Sequence, residues 1–223
     1  MGEIFQSIVN GMTWLLNILY DLTGSIGFPS YALAIILLTV LIKMVLYPLT
    51  QKQMKSMLGM QKIQPKIKEI QDKWKNKDPK KMQEEIMKLY KEHNVNPAAG
   101  CLPLLIQMPI LIALYRSLFT FDYVNPAHAT FFWLPNLTDK DPFFILPVLA
   151  GVTTYFQSKM TTMSNDPTQK MMLYTMPVFI GWISATVPAG LALYWVVFNI
   201  AGIIQQYFIN KQALPVKGDV GGK

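Results

Sequence analysis

Hydrophobic positions in this chain fall into long unbroken windows, at 28–49, 100–121, 143–159, 170–186 and 189–209. The hydrocarbon core of a bilayer, roughly 30 Å thick, takes about 20 apolar residues as a helix, and every amide within it must bond inside the segment. All five windows meet that need, the third and fourth near the lower limit. The fold predicted is an all-α integral membrane protein with five transmembrane helices.

Between and before the windows the pattern changes. Over 1–27, Glu3, Ser7, Asn10, Asn17 and Asp21 share one helical stripe, and Phe5, Ile8, Met12, Leu15, Leu16 and Leu19 lie opposite. That amphipathic pattern predicts an external helix lying in the membrane interface, with a sixth span as its rival. The segment has neither the basic start nor the small-residue cleavage site of a signal peptide.

After the first span, at 28–50, the stretch 51–96 carries a narrow apolar seam. Ile63, Ile67, Ile70 and Trp74 recur at helical spacing, and Met82, Ile86 and Leu89 repeat it. Asp78 stands where it can cap the second of these helices, and Pro79 is tolerated at the first helical position. A cytoplasmic helical hairpin is expected.

The second span, 97–121, holds Pro103 and Pro109 and is expected to kink. An external loop at 122–142 presents Phe131, Phe132 and Trp133 at headgroup level. Spans three to five occupy 143–209, the last two joined by the tight turn Val187-Pro188-Ala189-Gly190, and 210–223 is a cytoplasmic tail.

Charge sets the orientation. The net charge is +7, and twelve lysines lie between residues 51 and 93. Lys159, Lys170, Lys211, Lys217 and Lys223 fall on the same side, whereas only Arg116 and Lys140 fall on the other. Because short cytoplasmic loops collect basic residues, the N-terminus is placed outside and the C-terminus in the cytoplasm. The six acidic residues of the hairpin leave it at about +6, suited to anionic lipid, a docking partner or ribosomal RNA.

Little here suggests catalysis. His93 and His128 both lie outside the apolar windows, Cys101 is the only cysteine, and no zinc-protease pair, phosphate loop or nucleophile elbow is present. No enzyme activity, cofactor or metal is expected, and DNA is not an expected partner. Lys43 stands out instead, as the one ionisable residue deep in a window. It either snorkels to the headgroups or marks a hydrated functional site. Thr39, Gln107, Thr153, Thr154, Gln157, Ser184 and Asn199 are other polar residues in apolar windows, each readable as glue between helices.

Four stretches together resemble the YidC family of membrane-protein insertases: 35–50 (IILLTVLIKMVLYPLT), 95–115 (VNPAAGCLPLLIQMPILIALY), 141–154 (DPFFILPVLAGVTT) and 166–206 with MPVF, PAGLALYW and IIQQ. The resemblance implies a five-span core in a bacterial plasma membrane, with a polar groove open to the cytoplasm and closed outside. It makes Lys43 the groove's charge, where the family usually has Arg, and a lysine loses the guanidinium fork. Thr39, Gln107, Gln157 and Asn199 are expected as polar lining, and Tyr194 and Trp195 as contacts for a client helix leaving into lipid.

The large external domain and leading span of some bacterial members have no counterpart in these residues, nor has the lipid-attached cysteine of others, so a short form is expected. Nascent membrane proteins and the lipid bilayer are the partners implied, with the ribosome and the Sec translocon as candidates. The competing functional reading is an anion or small-solute transporter that binds its cargo at Lys43. Visible repeats and matched discontinuous helices would favour it, and the sequence has neither.

Overall fold

A computed structural model describes residues 2–75, 77–95, 102–119, 125–161 and 167–213. It is all-helical. The order is α1 (Gly2–Ser25), α2 (Tyr31–Val45), α3 (Tyr47–Trp74), α4 (Pro79–Glu92), α5 (Leu102–Phe119), α6 (Ile145–Thr161), α7 (Pro167–Ser184) and α8 (Ala189–Ala213). Helices α2, α6 and α8 form the centre, α7 packs on α6, and α1 lies against α2 and α5.

The central helices show why this chain needs lipid. On α2, Ala34, Ile35, Leu38, Thr39 and Lys43 point inward, while Leu37, Val40, Leu41, Met44 and Val45 form an exposed apolar face. Helix α8 exposes Ile200, Ile204, Tyr207 and Phe208 at the same helical spacing, and α7 exposes Tyr174, Val178, Phe179 and Trp182. So continuous a belt of bare hydrocarbon is unstable against water and natural against acyl chains. Among the described residues, Ala189–Ile209 is long and apolar enough to cross a bilayer alone. Tyr31–Val45 and Tyr47–Met54 qualify only as a pair, bent by 55°.

Helix α1 lies across one end of this bundle. Its Thr13 hydroxyl is 2.8 Å from that of Ser117, and Phe5 lies 5.2 Å from the Arg116 guanidinium, both partners in the last turn of α5. Farther along, Tyr20 stacks on Tyr31 in the first turn of α2, with centroids 4.0 Å apart. Val9, Leu16 and Thr23 are buried, whereas Ile8, Trp14, Ile18 and Leu22 stay exposed. The turn into α2 closes with Gly27 at φ 86°, and the Ser30 amide donates to Thr23 Oγ1.

The segment after α5 fastens the same end. Tyr20 Oη is 2.6 Å from His128 Nδ1. The Leu137 amide donates to the Ala129 carbonyl, and the amides of Ala189 and Gly190 at the start of α8 donate to the carbonyls of Asp139 and Leu137. A Cβ at Gly190 would sit 3.3 Å from that Leu137 carbonyl oxygen, so glycine favours the close approach.

Asp141, only 4% exposed, lies four residues before α6. Its carboxylate accepts from the amides of Phe143 and Leu146 and from Trp133 Nε1 at 3.0, 2.6 and 3.0 Å. Removing it strands three donors, among them the buried amide of Leu146. Asp141→Ala is therefore predicted to cost about 2–3 kcal/mol, by loss of a helix cap and of hydrogen bonds to a charge. Thermal unfolding in detergent checks this, and an unchanged melting temperature would refute it.

At the opposite end α3 and α4 pair through Ile63, Ile67 and Leu89, supported by Ile70, Ile86, Tyr90 and Val95. Asp78 accepts from the amides of Lys80 and Lys81, with Pro79 opening α4, as the spacing predicts. Trp74 Nε1 donates to Glu85 at 2.8 Å while the Lys81 ammonium lies 4.4 Å from the ring centroid. Asn94, at φ 51°, turns the chain out of α4. The sequence reading ends the first span at residue 50. In the structure the chain bends earlier, at Leu46, and α3 runs unbroken from Tyr47 into the hairpin.

Candidate functional site

Lys43 sits on the inward face of α2, one turn below Thr39, and is 6% exposed. Met44 and Val45 beside it are exposed, whereas its own long stem is directed at α8. There the ammonium lies 3.4 Å from the centroid of Phe198. A cation over an aromatic face regains by electrostatics part of the hydration that it loses, worth about 2 kcal/mol when desolvated.

Gly202, one turn beyond Phe198, opens the space for it. A Cβ built there would stand 3.1 Å from Lys43 Nζ and 2.5 Å from Gln157 Nε2. The missing side chain thus lets the ammonium from α2 and the amide from α6 reach the α8 backbone together. One polar patch forms from three helices. Neither Phe198 nor Gly202 stands out in the sequence reading; the available signal was a glycine inside an apolar helix, which often marks a close approach.

The other expected lining residues are placed differently. Asn199 is 3% exposed and donates to the hydroxyls of Thr154 and Thr153 at 2.8 and 3.1 Å, tying α8 to α6. Thr39 donates its own hydroxyl to the Ile35 carbonyl one turn back. Gln107 on α5 donates to the Tyr194 hydroxyl at 2.6 Å. Tyr194 is 1% exposed, with its ring 5.7 Å from Phe198, while the adjacent Trp195 is half-buried. Ser184 is buried at the end of α7, away from this group.

A separate open groove of about 700 Å³ runs along the outer side of α6 and α7, lined by apolar and aromatic residues including Val148, Phe156, Val178 and Trp182. Its floor is the contact between Gly151 and Gly181. A Cβ at 151 would meet the Pro177 carbonyl oxygen at 3.1 Å, and one at 181 would meet that of Pro147 at 3.3 Å. Small residues of this kind let two helices approach where no hydrophobic force drives them together. Among the described residues no cluster of His, Cys, Asp and Glu could hold a metal ion.

Most of the chain is matched by proteins of one kind. The model of the 60Kd inner membrane protein family matches residues 22–215. The chain belongs to the YidC family of membrane protein insertases. Two relatives named membrane protein insertase YidC show the range. That of Syntrophus aciditrophicus is 45% identical over 218 residues, covering 95% of this chain and 40% of its own. That of Fusobacterium nucleatum is 41% identical over 212 residues, covering 95% and 99%.

The fold agrees as well. A crystal structure described as an active YidC insertase with its first transmembrane domain resolved superposes with a TM-score of 0.70 at 31% identity. The match covers 92% of this chain and 46% of that one. This chain thus spans less than half the length of several YidC relatives and nearly all of the Fusobacterium one.

Proposed function

We propose that this protein inserts and helps to fold nascent membrane proteins in the bacterial plasma membrane, without catalysing a covalent reaction. The observation that carries this reading is a lysine turned inward within a lipid-facing bundle, beside an amide and over a glycine, in a member of an insertase family. Five helices cross the bilayer: α2 with the first turns of α3, α5, α6, α7 and α8. Helix α1 lies in the outer interface, its exposed Trp14, Ile18 and Leu22 in the lipid. The hairpin of α3 and α4 is cytoplasmic, the N-terminus external and the C-terminus internal.

In this account a hydrophilic end of the client enters from the cytoplasm, toward Lys43 and Gln157, and displaces the ammonium from Phe198. Thr39, Gln107 and Asn199 form the polar surroundings through which it moves. The client's apolar segment passes into lipid alongside Trp195, with Tyr194 behind it. The fastened outer end, built on Asp141, His128 and Gly190, keeps the passage closed outside. Transfer of the apolar segment supplies about 0.8 kcal/mol per CH₂. A 100 mV external-positive potential adds roughly 2.3 kcal/mol for each acidic charge moved outward.

The basic hairpin is the surface offered to a ribosome, and the Sec translocon is a further candidate partner. Purified protein in liposomes without any translocon, given a single-span client with a short acidic end, tests the reading. Protease-protected client above the level of protein-free vesicles is expected. Protection no better than in those vesicles would end the proposal, and solute flux in place of protection would support a transporter.

A further inference from the structure

The bend between α2 and α3 disturbs the backbone at Lys43 itself. In an unbroken helix the carbonyl of Lys43 would accept from Tyr47 and that of Met44 from residue 48. Here Leu46 ends one helix, Tyr47 begins the next at 55°, and Pro48 has no N–H to give. The carbonyl of Lys43 receives a donor from elsewhere in the chain: Gln205 Nε2 on α8, at 3.0 Å. The same helix therefore holds Lys43 twice, by its carbonyl at Gln205 and by its ammonium at Phe198. Phe198, Gly202 and Gln205 are spaced i, i+4 and i+7 and share one face of α8.

The other half of this amide is informative. Gln205 Oε1 is buried and has no hydrogen-bond partner among the described residues. An unpaired buried acceptor is unfavourable, and a methionine of similar length would fill the space without that penalty. A glutamine that served packing alone would be a poor choice. Its donor is what the position uses.

We propose that Gln205 is a positioning residue: its amide clamps the last turn of α2 to α8, fixing together the seat of the Lys43 ammonium over Gly202 and the angle at which the α3–α4 hairpin leaves the bundle. The geometric part stands on the bond and the bend. The functional part rests on the insertase reading. A hairpin that tilts must strain or release this bond, so hairpin movement and the charge offered to a client are linked through one amide.

The test uses the full chain in lipid nanodiscs and liposomes, with Cys101→Ser and spin labels on cysteines introduced at Gln83 of α4 and Lys140 of the external loop. Gln205→Met keeps the length and loses the donor. Gln205→Glu keeps size and polarity, and as a carboxylate it has no proton to give. Both are expected to broaden the hairpin distance distribution and to lower insertion of an acidic client roughly two- to tenfold, the range for one hydrogen bond. Adding Pro48→Ala to Gln205→Met restores an N–H at the bend and is expected to narrow the distribution again.

An unchanged distribution in both Gln205 variants would overturn the clamp. A broadened distribution with undiminished insertion would overturn its link to Lys43. Failure of the unsubstituted protein to insert any client would remove the insertase reading alone, and the distances would still decide the clamp.

Discussion

Gly202→Val is expected to lower insertion of acidic clients at least tenfold while α8 remains helical. The first atom added at this position already lies 2.5 Å from Gln157 Nε2 and 3.1 Å from Lys43 Nζ. Two more methyl groups fill the space in which the ammonium and the amide meet. Gln157 can swing aside from a single Cβ, so Gly202→Ala should be milder, on the order of a two- to fivefold loss, in keeping with a modest overpacking cost. Insertion yield in liposomes, read beside circular dichroism and thermal melting, separates loss of the site from loss of the fold. Full activity in the valine variant would show that the meeting of Lys43 and Gln157 over α8 is irrelevant to insertion.

A second large effect is expected from Gly151→Val, this time on stability. Its Cβ would stand 3.1 Å from the carbonyl oxygen of Pro177 and 3.8 Å from the Gly181 Cα, both main-chain atoms. Backbone cannot rotate out of the way as a side chain can. Helices α6 and α7 must separate, which forfeits contact along the whole interface and costs about 2–3 kcal/mol. The variant should melt well below the unsubstituted protein in detergent. Gly181→Ala, which meets the Pro147 carbonyl at 3.3 Å, should show the same effect more weakly. A melting temperature unaltered by Gly151→Val would mean that the two helices are not held this closely.

How much of this could be read from the residues depends on what lipid demands of them. Apolar windows are conspicuous because a bilayer asks for hydrophobicity on every side of a helix, and that demand is local. The hairpin seam was legible for the opposite reason: in water only one side of each helix is apolar, so Ile63, Ile67 and Leu89 declare their direction. Asp78 and Pro79 could be placed because capping acts within four residues.

Helix rotation inside the bundle is a different matter. An all-round apolar helix does not announce which face meets which neighbour, so the contacts of Asn199 with Thr153 and Thr154, 46 and 45 residues away, had no local signature. Tyr194 is the clearest instance. It is buried, and its hydroxyl accepts from Gln107, 87 residues away in the chain. Lys43 was found because a charge in hydrocarbon is conspicuous anywhere, but Gly202, which gives it room, is informative only once the neighbouring helices are in place. The bend at Leu46 was half visible in Pro48. What the proline could not reveal is the partner on α8 that takes over at the break.

Insertion of a single-span client with an acidic end, compared in liposomes among the unsubstituted protein, Lys43→Arg and Lys43→Ala, puts the buried charge to the most direct trial. Arginine should retain most of the yield, because the charge persists, and alanine should lose about tenfold or more, with a client whose end is uncharged affected far less. Equal yields from all three proteins with the acidic client would contradict the role given to Lys43.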